Sequence, residues 1–517
     1  MDLGREAPHP TVSVILPVYD SMPYVTATLE SVLGQDLRSI EVIAVDDGST
    51  DGSGEELDRF AEQDPRLTVV HQANSGWPGM PRNRGLERAS GEFVFFMDSD
   101  DTMAPHALSA LVAMAEERDA DVVIPRFQGV GGRGVQSLFK LHPEGEISLE
   151  RAMETLSPQK LFRRSLIEQH ALRFPEGRVR LEDGIFVTAA YVRARLILFC
   201  GADPLYFIAK RDDEKNISSS PIQPENYVGS CRRIAATLLA EVPDPERARR
   251  LVQQLFARKG LRFYAPQRWQ RMTDDRKAEW VAQHRAFLDE LVAPERDAAM
   301  GNPTNAQLCR LIRAGDLEGI DTLVDAQADL AHESVCLGLE AVPGGVEVMV
   351  EVIPSAEERL LSGASKPGPA RVAAAERLHR LLRPTLRWRV GRGVTRRAES
   401  FLAGGGIRVY LHLSGRRVGR GISVPGRRFR VAGRPDALAY RFVLPLELMR
   451  RFARDRVDLW TILEVRGSLS GRRARVAAAD GQPSKAAGMR LYATEHGNAS
   501  LDLRAPARAP RGAGPRA

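Results

Sequence analysis

Residues 93–101 read FVFFMDSDD, an apolar run that stops abruptly at three aspartates and a serine. A short run that is uniformly apolar and rich in aromatic residues is typical of a strand buried on both faces of a sheet. Because successive side chains of an extended chain alternate, Asp98 and Asp100 would project to the same side if the extended conformation continued. This segment therefore predicts a buried strand whose carboxyl end carries acidic side chains.

The same pattern recurs on both sides of this segment. Other apolar runs are VSVILPV at 12–18, IEVIAV at 40–45, LTVV at 67–70 and DVVIP at 121–125, and amphipathic stretches such as VTATLESVLGQ at 25–35 separate them. Short strands that alternate with helices indicate an α/β fold with a mainly parallel sheet and crossover helices. The sequence therefore predicts a Rossmann-like domain, whose ligands bind beyond the carboxyl ends of its strands.

Polar residues stand at those strand ends, at 17–20, 46–51 and 98–101. An Asx turn and a helix cap account well for Gly48 to Asp51, with no ligand required. They account less well for Asp46, because a carboxylate at a strand end is better used to accept a hydrogen bond from a base such as uracil. The placement of the three clusters favours a binding site over scattered surface charge.

Asp98 and Asp100 suit the chemistry of a nucleoside diphosphate sugar. A divalent cation such as Mn²⁺ or Mg²⁺, held by one or two carboxylates, stabilises the charge that develops on a departing diphosphate. An isolated Asp-x-Asp is common in loops, and its position after a central strand is what favours the metal. Asn74, Arg82 and Asn83 precede a predicted helix, where a guanidinium can hold a diphosphate or a sugar.

Together these segments resemble the family 2 glycosyltransferases, which have the A-type fold of the nucleotide-diphospho-sugar transferases. The resemblance covers roughly the first 220 residues and is carried by SVILPVYD at 13–20, EVIAVDDGSTDGS at 41–53, RNRGLERASGEFVFFMDSDD at 82–101 and LEDGIFV at 181–187. It implies a UDP-sugar donor, a divalent cation and inversion at the anomeric carbon. The implied site consists of nucleotide contacts at Pro17, Tyr19, Asp46, Asn74 and Arg82, a ribose or sugar contact at Asp98, and metal binding at Asp100 with Asp98.

An inverting transfer needs one base on the acceptor side, and Asp183, next to Glu182, matches the Glu-Asp position that the family uses for it. A capping pair at the start of a helix over GIFVTAAYV accounts for the same two residues. Arg211, in IAKRDDEKNISSS, lies where related enzymes carry a mobile loop with a basic residue for the donor phosphates. A solvated turn is the alternative interpretation of Arg211.

A narrower resemblance is carried by PQKLFRRSLIEQHALRFPEGRVRLEDGIF at 158–186. Together with the segments that follow, it is similar to the poly(ribitol-phosphate) N-acetylglucosaminyltransferases of wall teichoic acid. The resemblance implies UDP-N-acetylglucosamine as donor, an anionic polyol-phosphate glycan of the cell wall as acceptor, and a homotrimer built by a C-terminal β-module. It makes five arginines candidates for the acceptor phosphates: Arg163, Arg164, Arg173, Arg178 and Arg180.

The pattern along the chain predicts five regions. They are a catalytic domain at 1–222, a helical linker domain at 223–329, a hairpin and basic helical segment at 330–400, a β-sandwich module at 401–505 and a disordered basic tail at 506–517. The linker shows apolar spacing of three to four residues, whereas the later module shows short alternating runs broken by Gly and Pro. We expect the β-module to drive self-association.

The charge distribution and the cysteines limit the possible location and partners of the protein. The net charge of +6 is uneven, since nine arginines stand between Arg371 and Arg397 against the single acid Glu376. Such a block suits a polyanion or peripheral contact with an anionic membrane, and a solvated helix face explains it equally well. We expect no nucleic-acid partner. We expect a cytoplasmic protein, because the four cysteines are dispersed and the sequence shows neither an apolar signal core nor a membrane span. If the basic block contacts a membrane, the protein would lie at the inner face of the cell membrane.

Other functions leave different signatures. A processive polysaccharide synthase would carry membrane helices and a Gln-x-x-Arg-Trp motif, whereas here Gln267, Arg268 and Trp269 are adjacent, which we interpret as a coincidence on a helix. A glycosyltransferase for another cell-surface polysaccharide would share the same donor half. A silent scaffold that binds anionic glycan through its β-module would not hydrolyse a UDP-sugar in the presence of Mn²⁺.

Overall fold

The computed structural model of the chain describes residues 9–131, 133–136, 138–139, 142–209, 221–301, 303–354, 407–415, 421–431, 433–453, 455–465, 469–471, 473–478, 485–486, 488–494 and 497–503. The chain divides into two compact units: Met1–Arg262 with Ala282–Ala293, and Phe263–Val281 with Pro294–Ala517. Arg211, the basic segment 371–397 and the tail from residue 504 lie outside the described residues.

The first unit is an α/β fold. Its strands are β1 (Val12–Val18), β2 (Ile40–Asp46), β3 (Leu67–His71), β4 (Phe93–Phe96), β5 (Thr102–Met103), β6 (Val122–Pro125), β7 (Phe127–Gly129), β8 (Gly145–Glu146), β9 (Leu161–Arg163), β10 (Ile197–Cys200) and β11 (Tyr206–Ile208). The main sheet has the order β3-β2-β1-β4-β9-β6-β10-β8, and β5, β11 and β7 form a small second sheet. The five strands predicted from the apolar runs are all present, which confirms the predicted fold.

Helices connect these strands. They are α1 (Tyr24–Leu33), α2 (Ser53–Ala61), α3 (Gly79–Leu86), α4 (Ala107–Arg118), α5 (Leu149–Ala152), α6 (Arg164–Gln169) and α7 (Glu182–Arg193). The strands β3, β2, β1 and β4 run parallel. Their carboxyl ends therefore share one edge of the sheet, which is where a ligand site is expected in this architecture.

Two strands of the main sheet run against their neighbours, the edge strand β8 and the interior strand β9. β9 pairs antiparallel with both β4 and β6, with Phe95 opposite Leu161 and Phe93 opposite Arg163. The residues that precede β9 consequently lie at the edge where β4 ends. The apolar runs did not reveal this strand, because it has only three residues and ends in arginine.

An aromatic cluster holds β4, β9 and α7 together. The ring of Phe96 makes edge contacts with Phe162, Phe174 and Phe186 at centroid distances of 5.9, 5.0 and 5.4 Å. Phe174 and Phe186 stack at 4.1 Å. Aromatic pairs at these distances add to the free energy gained from burial. The cluster fixes the end of β4 relative to the start of α7.

Helical segments follow from residue 224 to residue 329. They are α8 (Pro224–Glu241), α9 (Pro245–Leu255), a π-helix (Phe256–Gly260), a 3₁₀ turn (Leu261–Tyr264), α10 (Pro266–Trp269), α11 (Asp274–Leu291), a 3₁₀ helix (Pro294–Ala299), α12 (Pro303–Ala314) and α13 (Leu317–Asp329). Trp269 of α10 is buried, and its Nε1 donates to Oδ1 of Asp321 at 2.6 Å. This packing gives the Gln-Arg-Trp sequence a structural role in the second unit.

The second unit is rich in β-structure. Its strands are β12 (His332–Val342), β13 (Gly345–Pro354), β14 (Ile407–Gly415), β15 (Gly421–Pro425), β16 (Arg427–Val431), β17 (Arg434–Pro445), β18 (Arg456–Val465), β19 (Leu469–Ser470), β20 (Ala474–Ala478), β21 (Lys485–Ala486), β22 (Met489–Ala493) and β23 (Ala499–Asp502), with α14 (Leu446–Met449) and a 3₁₀ turn (Arg450–Phe452) after β17. The predicted hairpin β12–β13 pairs with β20 and β17, so it belongs to the same sheet as the later strands.

All four cysteines are free and buried. No helix within the described ranges has both the length and the apolar character that a membrane-spanning segment needs.

Candidate active site

The carboxyl ends of β1, β2 and β4 bring predicted site residues to one edge of the sheet. Val18 of β1 pairs with Asp46 of β2, and β1 also pairs in parallel with β4. Pro17 is the penultimate residue of β1, Tyr19 is the next residue after the strand, and Asp98 follows the end of β4 by two positions. The side chain of Tyr19 is exposed. The edge thus presents an aromatic ring beside carboxylates.

Asp98 is held by three neighbours. Nη2 of Arg82 donates to its Oδ1 at 3.0 Å, Nε2 of Gln159 donates to its Oδ2, and the Tyr206 hydroxyl accepts from its backbone N–H at 3.2 Å. Desolvation raises the pKa of Asp98, Arg82 opposes the rise, and the nearby carboxylate of Asp183 adds to it. The orientation of Asp98 is therefore fixed by donors on two other elements.

Arg82 connects two carboxylates in the interior. Its Nη1 donates to Oε1 of Glu182 at 3.3 Å, while its Nη2 binds Asp98, and both Arg82 and Glu182 are buried. The guanidinium also lies 5.3 Å from the ring centre of Phe174. Burial opposes the charge of Arg82, but Asp98, Asp183 and Glu182 outweigh it and raise the pKa of Arg82. The terminal donors of Arg82 face carboxylates, although the sequence pattern suggested a contact with the nucleotide.

Glu182 and Asp183 occupy the first turn of α7. The residue before the helix is Leu181, whose φ of 58° is left-handed, and no side chain caps the helix there. Neither acidic residue is therefore a capping residue, so the capping interpretation is wrong. Burial raises the pKa of Glu182 to about 8, Asp183 adds to this, and Arg82 opposes it. Glu182 thus retains its proton at neutral pH beside the Asp183 carboxyl.

The start of β9 adds two residues to which the sequence analysis gave no role. Gln159 binds Asp98, as described above, and Lys160 is completely buried with its Nζ donating to the Ser157 carbonyl and to Thr155 Oγ1. Burial lowers the pKa of Lys160 to about 7, although the Asp183 carboxyl opposes the shift. Only the antiparallel direction of β9 brings them here, and no local sequence signal indicates that direction.

The acidic loop after β4 concentrates negative charge. Oδ1 of Asp101 accepts from the backbone N–H of Ala209 at 3.0 Å, and Asp101 is buried. Burial raises the pKa of Asp101 well above its usual range, and the neighbouring Asp98 and Asp100 raise it further. Asp100 itself is partly exposed. The loop consequently places three carboxyl groups within four residues, and burial favours a proton on Asp101.

This donor set fits a cation that arrives with a diphosphate. Among the residues that the structure describes, no three His, Cys, Asp or Glu side chains are grouped as a complete metal site. Mg²⁺ and similar hard cations need only one or two carboxylates when phosphate oxygens and water complete their coordination. Asp100, with Asp98 two residues before it, offers those carboxylates.

Asp46 is engaged by its own turn. Its Oδ1 accepts from the N–H of Ser49 at 3.0 Å, and its Oδ2 lies 2.9 Å from Nδ1 of His71, whose Nε2 lies 3.1 Å from Asp58. Hydrogen bonds to Asp46 and then to Asp58 raise the pKa of His71. The Asx turn weighed for this segment is present at Asp51, whose Oδ1 accepts from the N–H of Ser53 at 3.0 Å, and Asp46 lies at the strand end where a base contact was expected.

Asp47 organises the loop that carries Asn74. Its Oδ1 accepts from Nε2 of Gln72 at 2.6 Å and from the N–H of Ser75 at 3.0 Å, and its Oδ2 accepts from the Ser75 hydroxyl at 2.8 Å. Asn74 in turn accepts from the N–H of Gly76 at 2.6 Å. Asp47 therefore shapes the loop, a role that only the tertiary structure reveals.

The structure brings the core of the predicted site together and distributes the rest around it. The interacting residues are Arg82, Asp98, Glu182 and Asp183. Pro17, Tyr19, Asp46 and Asn74 lie at the strand ends and in the loops of the same edge. Arg211 lies outside the described residues.

Two segments of the chain match the models of known protein families. Residues 13–177 match the family model described as Glycosyl transferase family 2, and residues 224–324 match the one described as Glycosyl transferase TarS linker domain. The chain is 31% identical over 217 residues to the glycosyltransferase GlyG of Streptococcus pneumoniae, which covers 39% of this chain and 71% of that protein.

Two further relatives match about three fifths of the chain. A poly(ribitol-phosphate) beta-glucosyltransferase of Bacillus spizizenii is 30% identical over 62% of this chain and 51% of its own length. The poly(ribitol-phosphate) beta-N-acetylglucosaminyltransferase TarS of Staphylococcus aureus is 32% identical over 61% of this chain and 55% of its own length. The match thus spans about half the length of each. A crystal structure of S. aureus TarS 1–349 in complex with UDP-GlcNAc superimposes with a TM-score of 0.57 at 29% identity, over 65% of this chain and 96% of that one.

Proposed function

The chain belongs to the family 2 glycosyltransferases, and we propose that it transfers N-acetylglucosamine from UDP-N-acetylglucosamine to a hydroxyl of a polyol-phosphate glycan of the cell wall, with inversion. The Bacillus spizizenii and Staphylococcus aureus relatives act, by their names, on poly(ribitol-phosphate), and the second is a beta-N-acetylglucosaminyltransferase. The related crystal structure contains UDP-GlcNAc. These similarities support the donor and the acceptor class.

The observation that carries the proposal is the link from Asp98 through Arg82 to Glu182. It joins the end of β4, on the donor side, to the first turn of α7, which carries Asp183. We assign Asp183 as the base that removes the proton of the acceptor hydroxyl. The resulting oxygen attacks the anomeric carbon, the bond from that carbon to the diphosphate oxygen breaks, and UDP leaves with the bonding electron pair. A well-placed base contributes roughly 10²–10⁴ in rate.

Arg82 and Glu182 act in this scheme as positioning residues. Arg82 keeps Asp98 directed at the donor and keeps Glu182 in place beside the base. Glu182 holds its proton at neutral pH, so it does not add a second negative charge next to Asp183. The base therefore faces the acceptor beside a neutral carboxyl.

Asp100 and Asp98 would hold the divalent cation, Mn²⁺ or Mg²⁺. When bound, that cation neutralises charge on the diphosphate as it leaves. Pro17, Tyr19, Asp46 and Asn74 line the same edge, where we place the nucleotide. We retain Arg211 as the basic residue for the donor phosphates on the grounds of its position in the sequence.

The cellular location and the oligomeric state of the protein are further proposals. We infer that the protein works in the cytoplasm, at the inner face of the membrane, where nucleotide sugars are made. We also infer that the β-rich module builds a homo-oligomer, with a trimer as the expected state. Light scattering of the full chain measures that state, and a monomer would leave the module as an acceptor-binding domain.

Turnover of UDP-sugar distinguishes this function from a silent glycan-binding scaffold. With Mn²⁺ present, a panel of nucleotide sugars should yield UDP release that is fastest with one donor and accelerates when poly(ribitol phosphate) is added. A scaffold that only binds glycan would release no UDP from any donor.

A further inference from the structure

Two of the five candidate arginines for acceptor phosphates lie on the wrong edge of the sheet. Arg163, the last residue of β9, pairs with Phe93, the first residue of β4, and forms an ion pair with Glu92 at 2.7 Å. Arg164 follows it. The acidic loop at Asp98 begins at the opposite end of β4, so Arg163 and Arg164 lie a strand length away from the reacting groups.

The segment 178–180 lies on the side of the base. Asn226 of α8 holds it from outside: its Oδ1 accepts from the N–H of Arg180 at 2.8 Å, and its Nδ2 donates to the carbonyl of Arg178 at 2.6 Å. Glu182 and Asp183 follow Arg180 by two and three positions. The backbone that presents these arginines is therefore fixed next to the first turn of α7.

The side chains of the segment extend along the loop 74–77. The Arg180 guanidinium lies 5.1 Å from the centre of the Trp77 ring, and Nε of Arg178 would lie 3.6 Å from a Cβ added at Gly76. Stacking on an aromatic face orders a guanidinium and fixes the direction of its plane. This arrangement preorganises Arg180 for a planar, bidentate contact with a phosphate.

The charge around this pair is also suitable for an anion. Arg178 is exposed, and within the described part of the chain its guanidinium has no carboxylate partner. By contrast, the loop after β4 carries three aspartates, Asp98, Asp100 and Asp101, and no basic residue. An anionic acceptor that enters this site would therefore meet favourable charge on the side of Arg178 and Arg180.

We propose that Arg178 and Arg180 form a subsite for a phosphodiester of the acceptor chain and thereby place the adjacent polyol hydroxyl at Asp183. This inference rests on the proposed function, because it requires an acceptor in which phosphates alternate with hydroxyl-bearing carbons. The two arginines bind and do not react. They distinguish a polyol-phosphate chain from an uncharged glycan with similar hydroxyls.

The test compares the full-length variants Arg178→Gln, Arg180→Gln and Arg180→Lys with the wild type. Arg84→Gln is the matched control, since Arg84 is an exposed arginine of the same unit on α3. A synthetic ribitol-phosphate oligomer and unphosphorylated ribitol serve as acceptors, and UDP-N-acetylglucosamine with Mn²⁺ serves as donor. Acceptor KM, donor KM, kcat and calorimetric binding of the oligomer are measured for each protein.

We expect each glutamine variant to raise the acceptor KM for the oligomer by roughly tenfold, the effect of losing one charged hydrogen bond. Arg180→Lys should recover only part of this loss, because lysine lacks the planar fork. Donor KM, kcat and the rate with ribitol should match those of the control. An unchanged acceptor KM in both glutamine variants would overturn the subsite, and so would a rise in donor KM instead, which would assign these arginines to the donor diphosphate.

Binding separates the failure of this inference from the failure of the proposed function. If the wild type binds the oligomer through Arg178 and Arg180 but transfers no sugar to it, the subsite stands and the proposed reaction is wrong. If the wild type transfers sugar to the oligomer and the variants bind it equally well, the reaction stands and the subsite is wrong.

Discussion

Glu182 follows Arg82 by 100 positions in the chain, yet its Oε1 lies 3.3 Å from Nη1 of Arg82. The second terminal nitrogen of the same guanidinium lies 3.0 Å from Asp98. A planar fork can serve two carboxylates in different directions, whereas the single ammonium of a lysine is a point charge. Arg82 therefore maintains the geometry between the donor side and the acceptor side of the site.

Removal of this bridge should destabilise the protein. Arg82→Met leaves the partly exposed Asp98 carboxylate without its cation and removes the hydrogen bond to Glu182, and loss of a hydrogen bond to a charged group costs about 1.5–3 kcal/mol. Urea denaturation of the variant should show a loss of this size in the free energy of unfolding. Arg84→Met, on the exposed face of the same helix, should change it little. Equal stability of the two variants would show that the bridge is not needed for folding.

Protonation of Glu182 gives the protein a pH dependence of known sign. The folded pKa is about 8 and the ordinary value is 4.5, so between these pH values the folded state holds a proton that the unfolded state has lost. The stability from this group is fully present below pH 4.5 and is lost as the pH rises through 8. The melting temperature of Glu182→Gln should therefore decline less between about pH 6 and pH 8.5 than that of the wild type. Parallel declines would contradict the shifted pKa.

Lys160 should contribute with the opposite sign. Burial lowers its pKa from 10.5 to about 7, so between these values the unfolded chain carries a proton that the folded protein lacks. Stability from this group is fully present above pH 10.5 and is lost as the pH falls through 7. The melting temperature of Lys160→Gln should therefore be higher than that of the wild type at about pH 6, and this difference should disappear at about pH 9. A constant difference at both pH values would indicate a purely steric effect.

Donor affinity should depend on a divalent cation. Asp98 and Asp100 alone would repel a diphosphate, so calorimetry with UDP-N-acetylglucosamine should show binding with Mn²⁺ that EDTA abolishes. Asp100→Asn should weaken the Mn²⁺-dependent binding by roughly tenfold or more, the effect of one lost charged contact. Equal donor affinity with Mn²⁺ and with EDTA would show that donor binding needs no metal.

The sequence predicted the parts of this fold that have a strong local signal. The runs that became β1, β2 and β4 are long, apolar and followed by polar turns, so both the sheet and its acidic edge could be inferred. The roles of Gln159 and Lys160 could not, because they depend on the direction of a three-residue strand. Asp47 was missed for a related reason, since its partners lie 25 to 28 positions later in the chain.

Arg82 shows why motif matching and geometry give different information. The motif indicates that an arginine belongs at this position, and the tertiary structure shows that its terminal donors meet Asp98 and Glu182. Glu182 and Asp183 illustrate the same point, because any acidic pair before an apolar helix resembles a cap. The left-handed conformation of Leu181, which places both in the first turn, is a property of the folded chain.

Sugar transfer to poly(ribitol phosphate) by the wild type and by Asp183→Asn tests the proposed mechanism most directly. The measurement is the rate of incorporation of labelled N-acetylglucosamine from its UDP-linked form with Mn²⁺, together with the anomeric configuration of the product. We predict a β-linked product from the wild type, and a fall of roughly two to four orders of magnitude in kcat for Asp183→Asn with little change in donor KM. The Asp183→Asn variant should keep the melting temperature of the wild type, because Asp183 does not cap α7. Turnover of Asp183→Asn near that of the wild type, or an α-linked product, would contradict the assignment of Asp183 as the base of an inverting transfer.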